Sequence, residues 1–482
     1  MTDIIILTAE DYNDHPFCPA VAIRRVLEAK GFSVDVIEKP KDFSKLEKPK
    51  LCFCVAVAAI DSMVFNYTPL KKKRENTGIP DRALIYYCNK LREFCKGVPV
   101  VIGGVEASLR RFAHYDYWDN DVRASILLDS RADILVYGNG EKQIIEIAER
   151  LRDKKGLVGI KGTCVLSKVL PKHFELLPSF VDVKNDKVKF CKSHIMFSVY
   201  KNLAQEYHNN YVLQYEYPEY TMKDLDWVCS LPFSRNLKNN SPLKMAQFTV
   251  VTHRGCYGRC NFCSITSHQG CKIVSRSEQN ILDEIKRITK HPDFKGYIDD
   301  LGGPSANMYG TDLGNPNKRM LSLLRKARKI PGIKKVFIRS GIRFDIADKE
   351  YIREISEHHI SGTLKIAPEH FSEKVLKLMN KDNRKFDEFC RYFKSINPSQ
   401  ELRYYFMICH PGETIADTYE LKDKLKNLKN IESFQVFTPT PMTVSSCMYW
   451  TGLDPFTLKK IDVVYDYNTK KKMKRIVLSL LN

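Results

Sequence analysis

The chain has 482 residues, of which 43% are apolar and 28% are charged. This length predicts about two to three domains, and the composition excludes an intrinsically disordered chain. The 77 Lys and Arg residues outnumber the 57 Asp and Glu residues, and the resulting charge of +20 would attract nucleic acid, phosphorylated metabolites or an acidic partner protein. The basic runs at 71–74 and 470–475 contain no interleaved aromatic residues of the kind that stack on bases. The alternative interpretation of the positive charge is therefore an ordinary solvated surface.

The first residues predict a protein of the cytoplasm. Their apolar run ends at Leu7 and no basic region precedes it, which differs from a secretory signal. The longest apolar stretch, Leu51 to Ile60, is about half of what a bilayer crossing needs. We therefore expect no contact with a membrane, and we expect the 15 cysteines to be reduced thiols.

The first part of the chain alternates short apolar strands with helices. The predicted strands lie at 4–7, 32–38, 51–59, 98–104 and 132–141, and the predicted helices lie at 20–30 and from 141 through 150. This alternation predicts an α/β domain over 1–235 with a mostly parallel, flavodoxin-like sheet, whose ligands gather at the carboxyl ends of the strands. Gly103, Gly104, Gly138 and Gly140 lie at two such ends, where they permit close approach of a ligand or form tight turns.

Two segments of this domain depart from the alternation. Residues 109–130 combine aromatic residues, paired arginines and acids, including Arg110, His114 and Asp116. They predict either a partner or substrate surface or a salt-bridged layer between domains. From 185 to 242 the pattern weakens, which predicts a connector of mixed helix and polar loop.

A second series of strands and helices begins near residue 246. Six predicted strands lie at 246–255, 296–310, 335–345, 362–370, 402–414 and 433–441, with helices between them. This order predicts a partial parallel barrel over 242–460, followed by a basic tail at 461–482. Chemistry in such barrels lies on the loops that follow the strands.

Three cysteines follow the first strand of this series in a C-x3-C-x2-C pattern, at Cys256, Cys260 and Cys263. A structural zinc ion needs a fourth ligand. The candidates for that ligand are His253, His268 and Cys271. An iron–sulfur cluster is the alternative, because three thiolates leave one iron open for a substrate or cofactor.

The cysteine pattern, with Phe262 just before its third cysteine, resembles the signature of radical S-adenosylmethionine enzymes. The resemblance implies a 4Fe-4S cluster on the three cysteines and S-adenosylmethionine on the open iron. Reductive cleavage would then give a 5′-deoxyadenosyl radical that acts on a substrate. Pro304 replaces the family's usual acidic residue after the second strand. The residues that the resemblance assigns to cofactor binding are Phe262, Gly302, Gly303, Ser340, Lys365, Glu369 and Gly412.

Longer phrases, among them "DLGGPSANMY", "LKIAPEH" and "HPGET", identify the chain as a member of the YgiQ-type family of radical S-adenosylmethionine proteins. The resemblance covers nearly the whole chain and implies an electron donor of the ferredoxin or flavodoxin type. It assigns neither catalytic residues nor a substrate, which could be a small molecule or RNA. The rival interpretation is a non-catalytic protein that binds zinc and nucleic acid.

The amino-terminal domain also resembles the cobalamin-binding domains that precede some radical cores. Cobalamin is therefore a second candidate cofactor. The lower-ligand pattern D-x-H-x-x-G is absent, and Asp14 and His15 lie next to each other instead. The alternative is a retained fold without cobalamin.

Overall fold

The computed structural model of the chain describes residues 2–57, 60–199, 201–239 and 241–480. It contains two compact units. The first unit comprises Met1–Glu219, Leu231–Ser241 and Thr438–Lys460, and the second comprises Tyr220–Ser230, Pro242–Phe437 and Ile461–Asn482. The predicted domains were continuous stretches, whereas the chain passes between the two units several times. Among the described residues, no helix combines the length and the apolar character needed to cross a bilayer.

The first unit contains eleven strands within the described residues, and most of its helices precede residue 219. The strands are β1 (Ile4–Thr8), β2 (Val34–Glu38), β3 (Cys52–Ala56), β4 (Val100–Gly103), β5 (His114–Asp116), β6 (Asp121–Arg123), β7 (Ile134–Val136), β8 (Thr163–Ser167), β9 (Glu175–Leu176), β10 (Leu203–Tyr207) and β11 (Asn210–Gln214). The helices are α1 (Pro19–Glu28), α2 (Ser62–Asn66), α3 (Ala83–Phe94), α4 (Gly104–Leu109), α5 (Ile126–Ser130), α6 (Glu141–Arg152), α7 (Phe180–Asn185) and α8 (Lys187–Val199).

Nine of these strands form one sheet in the order β2-β1-β3-β4-β7-β8-β11-β10-β9. The half from β2 to β7 is parallel, which confirms the predicted flavodoxin-like sheet for this half. The other half is mainly antiparallel, because β8 pairs with β7 and β11, and β11 pairs with β10, in opposite directions. The sheet is therefore mixed.

The prediction of a connector from 185 to 242 is wrong for residues 203–214, which form the β10–β11 hairpin of the sheet. Two buried glutamines explain the weak hydrophobic pattern of this hairpin. Gln205 Oε1 accepts a hydrogen bond from the Ala113 backbone N–H at 2.9 Å, and Gln214 Oε1 accepts one from Arg111 Nε at 2.6 Å. A buried glutamine breaks the usual alternation of apolar and polar residues along a strand. Because the partners of these glutamines are distant in sequence, the local pattern does not reveal the hairpin.

Most of the segment 109–130 is buried or half-buried, with Asp119 and Asn120 exposed, so the prediction of a partner or substrate surface is wrong for its buried residues. Arg110, His114 and Asp116 are buried. Arg110 Nε lies 2.6 Å from Asp61 Oδ2, Arg110 Nη1 lies 2.7 Å from Asp116 Oδ2, and Arg82 Nη1 lies 2.6 Å from the same oxygen. Although burial opposes the shift, Arg82 and Arg110 hold the pKa of Asp116 far below its usual value. The charges therefore form a closed internal network.

The second unit begins with α9 and contains the predicted barrel strands. Its strands are β12 (Thr249–Val251), β13 (His253–Arg254), β14 (Val274–Ser275), β15 (Tyr297–Ile298), β16 (Asp300–Gly302), β17 (Lys335–Val336), β18 (Thr363–Glu369), β19 (Glu401–Ile408) and β20 (Ile431–Val436). The helices are α9 (Met222–Ser230), α10 (Ile265–Gln269), α11 (Glu278–Ile288), α12 (Pro316–Ala327), α13 (Lys349–Glu354), α14 (Glu373–Met379), α15 (Phe386–Ile396), α16 (Ile415–Leu425), α17 (Val444–Thr451), which belongs to the first unit, and α18 (Tyr467–Leu478).

Parallel pairing joins the strands of the second unit in sequence order. β12 pairs with β16, β15 with β17, β18 with β19, and β19 with β20. Backbone bonds of 3.0 Å from Phe337 N–H to the Ile298 carbonyl and from Leu301 N–H to the Phe337 carbonyl join the second strand to the third. Buried side chains of these strands and of helices including α11, α12 and α15 share one hydrophobic core. This arrangement confirms a partial (βα)6 barrel.

The helix α17 packs with α8 in the first unit. Cys447 Sγ lies 3.7 Å from Cys191 Sγ, and the ring of Trp450 stacks on Tyr115 with centroids 4.9 Å apart. The first unit therefore includes a helix that lies more than 200 residues beyond its main stretch.

Candidate cofactor site at the strand ends

The cysteine loop follows the first barrel strand and is closed at its base by a short ladder. β13 and β14 pair antiparallel, with His253 opposite Ser275 and Arg254 opposite Val274. Above this ladder, Cys256 N–H donates to the Gly270 carbonyl at 3.2 Å. Cys256, Cys260 and Cys263 are free and half-buried. The loop therefore presents three thiols from a defined backbone.

Two glycines of this loop provide a matched test of its closure. Gly255 has φ +84°, and a Cβ there would lie 2.1 Å from the Lys272 carbonyl oxygen, whereas Gly270 has φ +86° with nothing within 4 Å of such a Cβ. We expect Gly255→Ala to lower the thermal stability and the iron content of the reconstituted protein. Gly270→Ala has only the backbone strain, about 1–3 kcal/mol, because its φ of +86° and ψ of 169° suit glycine almost alone, and it should retain iron. Equal iron loss in both variants would attribute the loss to backbone strain, which the two positions share, and not to the clash at Gly255.

The far side of the loop is attached to the end of α14. Asn261 N–H donates to the Met379 carbonyl and Asn261 Nδ2 to the Leu378 carbonyl, both at 2.9 Å. In return, Asn380 Nδ2 donates to the Arg259 carbonyl at 2.9 Å. The loop after the first strand is thus held against the helix that follows the fourth strand. Sequence reasoning missed both asparagines, because each is an ordinary turn residue until its distant partner is known.

Two cations lie close to the thiols. Burial raises the pKa of the Cys260 thiol, while Lys381 and Arg343 oppose this shift. A Cβ at Gly258 would lie 2.3 Å from Arg343 Nη1 and 3.4 Å from Cys256 Sγ, so the loop needs a glycine to admit the guanidinium. Burial also raises the pKa of Cys263 to about 11. The positive charges would favour the thiolate forms that bind metal.

Glu369 is the acidic group of this site. It ends β18 beyond a register shift, with φ +69°, a conformation that is costly for a residue with a side chain. Burial raises the pKa of Glu369 to about 7, and Lys381 opposes the shift. Its charge also raises the pKa of Cys260 and Cys263, which places it near the thiols. Lys381 lies in the polar turn "NKDNRK", which gave no sequence signal for a site.

The glycines after the second strand lie under two side chains. A Cβ at Gly302 would lie 2.1 Å from Ser340 Oγ, and one at Gly303 would lie 2.6 Å from the His253 ring. Burial lowers the pKa of His253 to about 4, so the ring is neutral. His253 Nδ1 lies 2.9 Å from Thr252 Oγ1, while its buried Nε2 has no hydrogen-bond partner within the described residues. The segment offers a tight backbone cradle beside an unsatisfied polar atom.

The remaining predicted site residues occupy different surroundings. The Phe262 ring meets His410 edge-on with centroids 6.4 Å apart. Gly412 has φ +94°, and a Cβ there would lie 2.1 Å from Leu378 Cδ1, so close packing on α14 explains the glycine. Lys365 lies four residues before Glu369, about 13 Å along the strand, and pairs with Glu432 at 2.8 Å. Lys365 therefore lies apart from the strand end.

No set of three or more His, Cys, Asp or Glu side chains in the described ranges is arranged to hold a metal ion. The three thiols nevertheless fit an iron–sulfur cluster chemically, since each cluster thiolate binds a different iron and the sulfurs need not converge on one ion. The neighbouring cations and the glycine cradle fit the same group. Among the predicted zinc ligands, Cys271 accepts a hydrogen bond from Arg259 Nη2 at 3.2 Å.

In the first unit, the Asp14–His15 loop is occupied by internal contacts. His15 is fully buried, with Nε2 3.0 Å from Arg235 Nη1, and Asp14 forms a close ion pair with Arg25. In this arrangement His15 is engaged within the unit and is not presented as a lower ligand for cobalamin.

Two solved structures of radical S-adenosylmethionine enzymes share this fold. The radical S-adenosylmethionine methyltransferase TsrM from Kitasatospora setae, solved with tryptophan and a S-adenosylmethionine analog, superposes with a TM-score of 0.59 at 13% identity, over 92% of this chain and 76% of TsrM. The cobalamin-dependent enzyme OxsB, solved with aqua-cobalamin, superposes with a TM-score of 0.55 at 11% identity, over 99% of this chain and 56% of OxsB. At such low identity these likenesses show the fold.

The family is shown by sequence. The model for the radical SAM N-terminal domain matches residues 1–250, and the model for the radical SAM superfamily matches residues 250–425. A UPF0313 protein of Clostridium botulinum (strain ATCC 19397 / Type A) is 42% identical over 99% of this chain and 84% of its own length. A UPF0313 protein of Methanocella arvoryzae is 38% identical over 100% of this chain and 90% of its own length. The chain therefore belongs to the UPF0313 family of the radical S-adenosylmethionine superfamily.

Proposed function

We propose that the protein is an enzyme that cleaves S-adenosylmethionine reductively and directs the product radical to a substrate. The observation that carries this proposal is the loop of three thiols, which is closed at its base, attached to α14 and faced by Arg343 and Lys381. Cys256, Cys260 and Cys263 would hold a 4Fe-4S cluster. When bound, the cluster and S-adenosylmethionine supply a one-electron cleavage that yields methionine and a 5′-deoxyadenosyl radical.

The chain's own residues bind and orient the cofactor in this proposal. Gly302 and Gly303 bring the backbone close to Ser340 and His253, where any side chain would clash, so this segment suits the methionine amino group. Phe262, which lies just before Cys263 in the loop, would cover one side of the site. Ser340 and Glu369 lie at strand ends where they can contact the ribose and carboxylate. Gly412 and Lys365, which the family resemblance also assigns to the cofactor, stay predictions.

The proposal includes three features outside the cysteine loop. The enzyme acts in the cytoplasm, and a ferredoxin- or flavodoxin-like protein supplies the electron. Such donors are usually acidic, and the net charge of +20 would favour their encounter. Cobalamin binding by the first unit stays a prediction. It is supported by the shared fold, whereas the internal contacts of His15 oppose a family-type lower ligand.

The test is anaerobic reconstitution with iron and sulfide, followed by incubation with S-adenosylmethionine and dithionite. We expect about four irons and four sulfides per chain and the formation of 5′-deoxyadenosine and methionine. Metal analysis of protein purified without oxygen separates the rival function. One equivalent of zinc without iron or sulfide, together with binding of nucleic acid, would replace this proposal with the non-catalytic protein.

A further inference from the structure

Arg111 in the first unit is a buried arginine without an acidic partner among the described residues. It follows α4, is 7% exposed and takes no part in the charge network of Arg110. Its Nε donates to Gln214 Oε1 and its Nη1 donates to the Ser108 carbonyl, both at 2.6 Å, and its guanidinium lies 5.0 Å from the centroid of the Tyr137 ring. The second N–H of Nη1 and both N–H groups of Nη2 have no acceptor in the described part of the chain. Part of the guanidinium therefore remains available to a ligand.

The positive charge of Arg111 is not neutralised by the groups around it. Burial lowers the pKa of Arg111, and only the Cys164 thiol and the Tyr137 hydroxyl oppose that shift. Burial raises the pKa of both of these groups, so they are uncharged at neutral pH. Arg110 differs, because two buried carboxylates pair with it. An unpaired charge is costly to bury, so an anion beside Arg111 would offset that cost.

The guanidinium lies at the carboxyl ends of two strands of the mixed sheet. Tyr137, whose ring it faces, directly follows β7, and Gln214 is the last residue of β11. Cys164 of β8 pairs with Leu135 of β7 on one side and with Gln214 of β11 on the other, both antiparallel. β7 and β11 therefore end at the same edge of the sheet. In sheets of the α/β class, ligands bind at this edge.

A second buried polar group lies beside Arg111. His194 of α8 is 8% exposed and forms no hydrogen bond within the described ranges. Burial and the charge of Arg111 lower the pKa of His194 to about 4, so its ring is neutral and carries one N–H. Phe197 of the same helix meets the His194 ring edge-on, with centroids 5.8 Å apart, and stacks on Phe112 at 5.3 Å. Because buried polar groups normally have partners, this imidazole is a second candidate donor.

We propose that Arg111 and His194 bind a carboxylate group of a small-molecule ligand at these strand ends. The free N–H groups of a guanidinium form paired hydrogen bonds with the two oxygens of a carboxylate. One cation matches one negative charge, whereas a phosphate monoester, with a charge of about −1.5 to −2 at pH 7, would leave an excess of buried negative charge. The site is interior, unlike the exposed surface predicted for 109–130. It uses no residue of the cysteine loop, so the inference goes beyond the proposed function and does not depend on it.

The test measures the binding of acetate and benzoate to the full, reconstituted chain by calorimetry, with chloride at matched ionic strength in the reference. We expect saturable binding of at least one carboxylate, and we expect Arg111→Gln to weaken it about tenfold or more. His194→Phe keeps a ring against Phe197 and leaves both hydrogen bonds of Arg111 in place, and it should weaken binding several-fold. The control is Arg123→Gln, because the guanidinium of Arg123 already pairs with two carboxylates. This variant should bind like the wild-type protein.

The proposal is overturned if either Arg111→Gln or His194→Phe binds the carboxylates as tightly as Arg123→Gln does. It is also overturned if the wild-type protein binds inorganic phosphate or dimethyl phosphate and neither carboxylate, or if it shows no saturable binding of a carboxylate up to about 50 mM. Circular dichroism checks that each variant is folded. If Arg111→Gln does not fold, the comparison of His194→Phe with Arg123→Gln decides the proposal alone.

Discussion

Replacing Cys256, Cys260 or Cys263 by Ala is expected to reduce both cluster assembly and S-adenosylmethionine cleavage to the level of a sample without enzyme. Each thiolate would bind a different iron, so none can substitute for another. The measurement is iron and sulfide per chain after anaerobic reconstitution, together with 5′-deoxyadenosine formed after reduction. Both quantities should fall in the same variant.

Cys271→Ala is the matched control for these three variants. Cys271 lies in the same segment and is half-buried, but its thiol accepts a hydrogen bond from Arg259 Nη2 at 3.2 Å. We expect this variant to keep the iron, the sulfide and the cleavage. Loss of iron there would identify Cys271 as a ligand, and the assignment of the fourth position to S-adenosylmethionine would be wrong.

Arg110→Met in the first unit is expected to lower the free energy of unfolding by about 3–5 kcal/mol. The side chain is 3% exposed and pairs with Asp61 and Asp116, which are 1% and 0% exposed. Removing the guanidinium leaves the buried Asp61 without this counter-charge and leaves Asp116 with Arg82 alone. The change in the free energy of unfolding is measured by urea denaturation of the full chain, monitored with a probe placed in the first unit.

Arg123→Met is the control for that measurement. Arg123 also forms two ion pairs, with Asp119 and Asp129 at 2.7 Å, but its side chain is 29% exposed and its partners are 41% and 25% exposed. Ion pairs with such access to solvent contribute about 0–1 kcal/mol. A loss of less than 1 kcal/mol in Arg110→Met, equal to that of Arg123→Met, would contradict a structural role for the buried network.

The parallel strands and the cysteine loop could be predicted from sequence because their signals are local. Apolar runs such as that around β3 need no distant partner to be recognised, and the spacing of Cys256, Cys260 and Cys263 lies within eight residues. The buried charges of 109–130 could not be assigned in the same way. Arg110 is buried because Asp61, 49 positions earlier, accepts its hydrogen bonds.

The same physical reason explains what was missed around the thiols. Lys381 and Asn380 lie in a polar turn that is typical of a surface, and they become part of the site because α14 ends against the cysteine loop. Gln205 and Gln214 interrupt the apolar pattern of the β10–β11 hairpin because their partners come from 111–113. The burial and the role of such residues depend on their tertiary partners, which a single sequence does not show.

The placement of α17 in the first unit has a consequence for how the protein is made. The main stretch of the first unit has been synthesised once the ribosome reaches residue 219. The helix that stacks Trp450 on Tyr115 is complete only after residue 451 has been synthesised. At ordinary rates of translation that interval is roughly 10–50 s. During this time the surface that will receive α17 is uncovered on the ribosome, while most of the second unit is being produced between the two parts of the first.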